Sequence, residues 1–247
     1  MSNKGETDGR WRWLLSNQTV LWAFVVLGIL LRLRQYLFDR SLWVDESMLA
    51  LNIIRRSPAE LLKPLDYSQA APVGFLWLEK LAVHYFGSGE MALRFVPLLC
   101  GIGSVLLFLG VARKFLPQPA IPIAVGLFAV SEPLIYYSSE VKQYSSDVAF
   151  ALILYRAAKL LVEVSSGFAG PMLVALIGGV AIWFSNPAVS ILAELGLSAF
   201  LDLGKKTRQA CIGPALDSGR SLVLQLLGLL HCFPARRYYP VSELFPL

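Results

Sequence analysis

The sequence has little charge for its length. Only 16% of its 247 residues are charged and 56% are hydrophobic, whereas soluble domains carry about 25% charged residues. Low charge combined with long apolar runs is typical of a polytopic membrane protein. The formal net charge of +5 is not gathered into a basic patch interleaved with aromatic residues. We therefore expect no nucleic-acid partner.

Cysteine and histidine are scarce as well. Cys100, Cys211 and Cys232 form no CxxC pair and no cluster with a histidine, which argues against a zinc site. His84 and His231 have no second ligand at helical spacing, so we expect both to be ordinary packing or surface residues. No small-residue cleavage site follows the first apolar run, and we predict a retained first helix rather than a signal peptide.

Six segments are apolar and long enough to cross a bilayer, which takes about 17–25 helical residues. The predicted spans are residues 19–38, 91–112, 121–137, 148–164, 168–184 and 188–203. A seventh apolar run, residues 72–86, is shorter and carries Glu79 and Lys80 near its middle. The orientation of the chain depends on whether this run crosses the membrane.

The positive-inside rule favours an arrangement in which residues 72–86 do not cross the membrane. Three basic clusters then lie on the cytoplasmic side: Lys4, Arg10 and Arg12; Arg113 and Lys114; and Lys205, Lys206 and Arg208. If the run did cross, the second cluster would move outside and a charged pair would lie in mid-membrane at high cost. We therefore predict an amphipathic helix at the outer interface and a cytoplasmic N-terminus.

This topology predicts two external loops on the same face of the membrane. The first, residues 39–90, contains the acidic pair Asp45 and Glu46 within "SLWVDESMLALNI". The second, "YYSSEVKQYSSD", contains Glu140 and Lys142. The two groups of ionisable residues can then converge, whereas the opposite topology would separate them by the bilayer.

The residues alone leave the purpose of these charges open. An Asp-Glu dipeptide by itself is typical of a solvated loop. Carboxylates and a cation crowded beside a low-dielectric surface favour acid–base chemistry instead. Arg32 and Arg94 lie near the outer ends of their predicted helices, where arginine either reaches lipid phosphates or binds a specific phosphate.

Three stretches in this order resemble the N-terminal half of GT-C membrane glycosyltransferases. They are "SLWVDESMLALNI", "QAAPVGFLWLEKLAVHYFGSGEMALRFVPLLCGIGSVLLFLGVARKF" and "PLIYYSSEVKQYSSDVAFALIL". The sequence is most similar to the RgtA/B/C/D-like group, which is related to the protein mannosyltransferases and the lipid A aminoarabinose transferases. The likeness covers residues 10–203 and rests on the ordered set of motifs rather than on any single one.

The resemblance implies both a fold and a reaction. The implied fold is an all-α, polytopic transmembrane helical bundle with about six spans and interfacial helices in the first external loop. The implied activity is that of a glycosyltransferase that moves a sugar from a polyprenyl-phosphate-linked donor to a lipid, glycan or protein acceptor. Transfer takes place on the non-cytoplasmic face, usually with inversion, in an inner or plasma membrane that the chain crosses several times.

The family's residues are then carried onto this sequence one by one. Its first-loop aspartate corresponds to Asp45, which we expect to deprotonate or orient the acceptor hydroxyl as general base. Glu140 is expected to orient the substrate or to help hold a metal. Divalent metals serve some relatives and not others, so no metal ligand is assigned. The predicted catalytic residues are Asp45, Glu46 and Glu140, and the predicted substrate-binding residues are Arg32, Arg94, Tyr137, Lys142 and Tyr144.

Two departures from the family pattern bear on these roles. Lys142 stands where arginine is commoner, which weakens a bidentate phosphate contact. The chain is also shorter than family members, and residues 204–247 do not continue the helical rhythm. We therefore predict a transferase domain at residues 1–203 and an atypical tail at residues 204–247. The tail is either a cytoplasmic amphipathic piece or the product of a frameshift, and the family's second half normally adds helices around the lipid-donor groove and much of the acceptor selection.

Two other functional classes are alternatives to a transferase. The first is a non-catalytic membrane fragment or a partner subunit of a helical membrane complex. The second is a small-solute transporter, in which ionisable residues are expected near the bilayer midplane. Here the charged residues cluster mostly at the predicted outer face, which argues against transport.

Overall fold

The computed structural model describes residues 18–164 and 169–197. All of them belong to the first of the two units into which the chain divides, Met1–Ile212. The N-terminal basic cluster, the end of the sixth predicted span and the tail at residues 204–247 lie outside the described residues. Within the described residues, all regular structure is helical and no strand is present.

Two helices among the described residues, α1 and α5, are long and apolar enough to cross a membrane. Helices α6 and α10 and residues Met172–Ile182 of α9 are apolar but shorter. The helices are α1 (Gln18–Leu37), α2 (Val44–Arg55), α3 (Val73–Phe86), α4 (Glu90–Leu93), α5 (Phe95–Phe115), α6 (Ala120–Val130), α7 (Glu132–Tyr137), α8 (Tyr144–Val164), α9 (Ala169–Ile182) and α10 (Ala188–Leu197).

The apolar helices pack around α5. Helix α5 contacts α8, α1 and α6, while α1 also packs along α6 and α8 packs along α9. This order brings the end of α7 and the start of α8 beside the first turns of α5. The second predicted loop therefore lies between helices rather than in open solvent.

The structure divides the third predicted span, residues 121–137, into α6 and α7. Ser131 between them has an extended backbone, with φ −61° and ψ 112°. Pro133 has no N–H, so it cannot donate a helical hydrogen bond to the carbonyl of Ala129 four residues earlier. The guanidinium of Arg32 donates to that carbonyl instead, with Nη1 3.3 Å from Ala129 O. Two short helices thus replace the single continuous helix that the sequence predicted.

The first predicted external loop folds around a small hydrophobic core of its own. Helices α2, α3 and α4 supply most of it, and the start of α5 and one residue of the second loop complete it. Its buried members are Leu49, Ala50, Ile53, Leu61, Phe75, Leu76, Ala82, Leu93, Val96 and Val141. Burial of this much apolar surface gives the loop a fixed shape, so α2 is held firmly at the site described below.

Helix α3 corresponds to the amphipathic helix predicted for residues 72–86. One face carries the exposed side chains of Trp77, Leu81 and Tyr85, which are spaced four residues apart. The other face packs into the loop core. Lys80 donates from Nζ to two carbonyls at the end of α2, each at 2.9 Å, so its charge stabilises that helix terminus.

Candidate functional site

Asp45 lies in the first turn of α2, and its carboxylate reaches the second predicted loop. The Nζ atom of Lys142 is 2.9 Å from Oδ2 of Asp45. The Asp45 side chain is 67% exposed, whereas that of Lys142 is only 8% exposed. The convergence of the two loops that the sequence predicted is therefore present in the structure.

Gln69 completes a triangle with this ion pair. Its Nε2 donates to Oδ1 of Asp45 at 2.9 Å, and its Oε1 accepts from Nζ of Lys142 at 2.7 Å. The sequence prediction did not include Gln69. A glutamine in a polar loop gives no sequence signal, and only the fold brings it to two partners that lie 24 and 73 residues away along the chain.

A buried valine fixes the position of Lys142. Val141 is completely buried in the core of the first loop. The segment from Ser138 to Lys142, which the sequence predicted as part of an external loop, is buried throughout. Because Val141 is anchored among α2 and α3 side chains, the neighbouring lysine emerges next to the start of α2.

Glu46, the neighbour of Asp45, points into the protein. Its side chain is completely buried, and Nη2 of Arg40 lies 2.7 Å from its Oε1. The backbone N–H of Trp43 donates to Oε2 at 2.9 Å, and Nη2 of Arg94 lies 3.8 Å from the same atom. These contacts tie the beginning of α2 to the chain on either side of it, so Glu46 holds the helix on which Asp45 is carried.

Arg94 sits between α4 and α5, surrounded by carboxylates. Its side chain is 1% exposed, and its Nη1 lies 3.7 Å from both Asp39 Oδ1 and Glu90 Oε2. Together with Glu46, these groups place three carboxylates around one guanidinium. Within the described part of the chain, its Nε and Nη2 atoms make no hydrogen bond. Arg94 is thus charge-compensated but retains unused donors.

Two tyrosines and Glu140 border the ion pair. The rings of Tyr137 and Tyr144 lie with centroids 4.8 Å apart. Glu140 is buried, with 8% of its surface exposed. Burial, together with the negative charges of Glu140 and Asp45, raises the pKa of Tyr144 to about 12. Tyr144 is therefore neutral and close to both carboxylates. Glu140 and Tyr144 were predicted in the same external loop, whereas Asp45 was predicted in the other one.

Arg32 stands apart from these contacts. It is 1% exposed; its Nη1 donates to the Gly28 carbonyl at 2.9 Å, and its guanidinium lies 5.8 Å from the Phe128 ring centroid. Arg32 and Tyr137 line one small cavity. The cavity has about 10 Å³ of room, enough for about one water molecule. Its other lining residues are Gly101, Ser104, Phe128, Leu134, Ser145 and Val148.

The environment of Asp45 sets its acid–base character. Partial burial acts to raise the pKa of Asp45, but hydrogen bonds from Lys142 and Gln69 and the charge of Lys142 bring it below the ordinary value. Asp45 is therefore ionised at neutral pH. A carboxylate with a lowered pKa is a weaker base, but it keeps a full negative charge available for orienting a hydroxyl or facing a cation.

Two further carboxyl groups are buried in the protein. Burial raises the pKa of Asp147 to about 7, against the opposing effect of Ser185 and the Asn186 backbone. Glu79 is completely buried, and neither of its oxygens has a hydrogen-bond partner among the described residues. Burial raises its pKa well above the ordinary value. Both carboxyls lie within electrostatic range of Cys100.

The described residues contain no group of three or more histidine, cysteine, aspartate or glutamate side chains placed to hold a metal ion. The assignment of metal ligands therefore stays as open as the sequence left it. In comparisons with known proteins, no family model, no curated protein and no solved structure matches this chain.

Proposed function

We propose that this chain is an integral membrane glycosyltransferase of the GT-C type. In this proposal it is a polytopic transmembrane helical bundle in the inner or plasma membrane, with its N-terminus in the cytoplasm. It transfers a sugar from a polyprenyl-phosphate-linked donor to a glycan, lipid or protein acceptor on the non-cytoplasmic face. The observation that carries the proposal is the 2.9 Å contact between Asp45 and Lys142, which joins a carboxylate and an amine from separate loops.

The proposed reaction needs both of those charges. The bond between the sugar C1 and the phosphate oxygen breaks, and its electron pair leaves with the lipid phosphate. The sugar carries positive charge in the transition state, and an acceptor oxygen forms the new bond to C1 while losing its proton. Asp45, ionised and mostly exposed, orients the acceptor hydroxyl and takes up that proton.

Lys142 is the cation best placed to stabilise the departing phosphate. Its side chain is almost buried, and Asp45, the carboxylate 2.9 Å from its Nζ, is largely exposed. A phosphate oxygen can therefore approach the ammonium from the solvent side, and a fixed cation in a poorly hydrated position interacts strongly with developing negative charge. Arg94 already faces three carboxylates, and Arg32 contacts α1 and α6. We assign both arginines secondary roles in phosphate binding.

The remaining predicted residues support this arrangement in different ways. Glu46 holds the start of α2 through Arg40 and Trp43. Glu140 adds negative charge beside Tyr144, which suits a sugar that becomes cationic. The paired rings of Tyr137 and Tyr144 offer apolar faces on which a sugar ring can stack.

The proposal is tested by donor turnover in sealed liposomes that contain the full chain. The donors are undecaprenyl phosphates that carry radiolabelled hexoses or pentoses, and a host membrane extract supplies acceptors. We expect transfer by the wild type and a loss of about a hundredfold or more in Asp45→Asn, because general-base catalysis contributes about that much.

Asp66→Asn is the matched control. Asp66 lies in the same predicted loop, its side chain is 65% exposed, and it forms an ion pair with Arg56 at 2.8 Å. We expect this variant to keep wild-type transfer. Equal transfer by the two variants would overturn the role of Asp45. A complete lack of transfer by the wild type with every donor would favour the non-catalytic membrane subunit instead.

A further inference from the structure

Gln69 contacts both members of the Asp45–Lys142 pair with its one amide group. Its Nε2 lies 2.9 Å from Asp45 Oδ1, and its Oε1 lies 2.7 Å from Lys142 Nζ. A carboxylate can only accept hydrogen bonds, and an ammonium can only donate them. Only one orientation of the glutamine amide satisfies both partners, so the triangle fixes the direction of all three groups.

The backbone that carries Gln69 is held in an unusual conformation. Tyr67 and Ser68, the two residues before it, both have positive φ angles, 61° and 53°. Residues with a side chain rarely adopt this left-handed conformation, because their Cβ atom crowds the backbone. Two such residues in succession persist only where the surroundings hold them.

Contacts to α2 hold this turn in place. The backbone N–H of Asp66 donates to Oδ1 of Asn52 at 2.9 Å, and Nδ2 of Asn52 donates to the Asp66 carbonyl at 3.3 Å. Leu65 and Ala71, on either side of the turn, pack against the core of the first loop. The strained turn is therefore held on both sides, and it places the Gln69 amide beside Asp45 and Lys142.

We propose that Gln69 is a positioning residue for the reaction at Asp45: its amide sets the orientation of the carboxylate and keeps it aligned when Lys142 turns to the donor phosphate. This inference rests on the proposed function. The amide is suited to the task because it is neutral. It holds the carboxylate without adding a charge that would repel either the phosphate or the cationic sugar. Nε2 of Gln69 also donates to the Tyr67 carbonyl oxygen, which lies 3.4 Å away, and this contact keeps the amide itself in place.

The experiment compares Gln69→Leu and Gln69→Glu with the wild-type full chain in lipid nanodiscs. Leucine removes both amide contacts at similar volume, whereas glutamate retains an acceptor for Lys142 and places a like charge beside Asp45. Gln118→Leu is the matched control, since Gln118 is exposed in the connection between α5 and α6. Glu46, Glu140 and Tyr144, the other titratable groups near Asp45, are unchanged in every variant.

The first readout does not depend on enzymatic activity. Carbodiimide-promoted coupling of glycine ethyl ester to Asp45 is followed by mass spectrometry across a pH series. The pH at which coupling to Asp45 is half-maximal reports the pKa of this carboxyl. We expect this midpoint to rise in Gln69→Leu and to rise further in Gln69→Glu, because hydrogen bonds and nearby charges set a carboxyl pKa. The midpoint in Gln118→Leu should equal that of the wild type.

The second readout is donor turnover. We expect kcat to fall about tenfold in Gln69→Leu while KM for the donor stays close to the wild-type value, since one well-placed hydrogen bond is lost. An Asp45 midpoint identical in all variants would overturn the positioning role, whatever the turnover. If the midpoint shifts in the Gln69 variants but the wild type transfers no sugar, the contact stands and the proposed reaction is overturned.

Discussion

Adjacent acidic residues in this protein have opposite environments. Asp45 is 67% exposed and Glu46 is completely buried. Successive residues of a helix point about 100° apart, so a consecutive pair cannot face the same partner. The sequence and the family resemblance treated both as catalytic. The structure gives Asp45 access to solvent and surrounds Glu46 with arginines, so we expect Asp45 and not Glu46 to contact the substrate.

Residue types explain which parts of the site were predictable. The charges of Asp45 and Lys142 and the topology argument were enough to predict that the two loops meet. The amide of Gln69 carries no such signal, because its importance lies in two contacts made across long stretches of chain. Glu79 was counted as a charge in mid-segment, but its complete burial depends on packing that the sequence does not display.

The burial of Glu79 leads to a prediction about pH and stability. The raised pKa of this carboxyl keeps it protonated in the folded protein at pH values where the unfolded chain is already ionised. As far as this group is concerned, the protein is therefore most stable in acid, and it loses stability as the pH rises from about 4, the pKa of an unfolded glutamate, toward the raised pKa of Glu79 in the folded state. We expect Glu79→Gln to match the wild type in acid and to unfold at a higher temperature near neutral pH.

Thermal unfolding in nanodiscs across a pH series checks this expectation. Glu60→Gln serves as a control of opposite sign. The Ser57 backbone N–H donates to Glu60 at 2.8 Å and lowers the pKa of this carboxyl. The Glu60→Gln variant should therefore be less stable than the wild type at neutral pH and equally stable in acid. A Glu79→Gln variant with the pH dependence of the wild type would show that Glu79 is ionised in the folded state.

At the level of helices, close approach depends on one glycine of α5. A Cβ atom added at Gly101 would lie 2.5 Å from Ser138 Cβ and 3.2 Å from Ser145 Oγ. This contact brings the buried second loop against α5, and Val141 then enters the core of the first loop. The position of Lys142 thus depends on a helix contact some distance away from it.

We expect Gly101→Ala to lower the free energy of unfolding by about 1–3 kcal/mol, because the added methyl overpacks this contact. It should also reduce donor turnover, since the second loop is displaced. Gly103→Ala is the control in the same helix, with nothing within 4 Å of the added Cβ. We expect it to be neutral, or to stabilise the helix by up to about 1 kcal/mol. Chemical unfolding of both variants measures the two free energies of unfolding. Equal values for Gly101→Ala and Gly103→Ala would contradict the proposed packing.

The helices also show where sequence periodicity fails. Residues 121–137 are apolar except for Ser131 and Glu132, which predicts one span, but Pro133 interrupts the helical hydrogen bonds. Arg32 supplies the missing donor from another helix. Such a compensation is invisible in a local window of sequence, whereas α1, which is regular throughout, was predicted to within one residue at each end.

For the whole molecule, the fold class was predictable and the number of spans stays a prediction. Composition alone indicated helices in a membrane, and among the described residues two helices fit that description by length and apolarity. The orientation rests on basic clusters, and only Arg113 and Lys114 of these lie within the described residues. Orientation is a property of the chain in its bilayer and needs its own experiment.

We predict that the first loop and the connection between α5 and α6 lie on opposite sides of the membrane. Lys63→Cys and Gln118→Cys, each in a chain without its native cysteines, place one exposed thiol in each segment. In intact cells, a membrane-impermeant maleimide should label the first variant only, and both after permeabilisation. Labelling of both thiols in intact cells would contradict the proposed topology.

The central claim is that Lys142, held beside Asp45, binds the phosphate of a polyprenyl-phosphate donor. Equilibrium binding of undecaprenyl phosphate to the full chain in nanodiscs tests it without knowledge of the sugar. Lys142→Met should weaken binding about tenfold or more, because a charge-assisted hydrogen bond to phosphate is lost. Lys63→Met, which removes an exposed lysine from the same predicted face, should bind like the wild type. Equal Kd values for the two variants would contradict the claim.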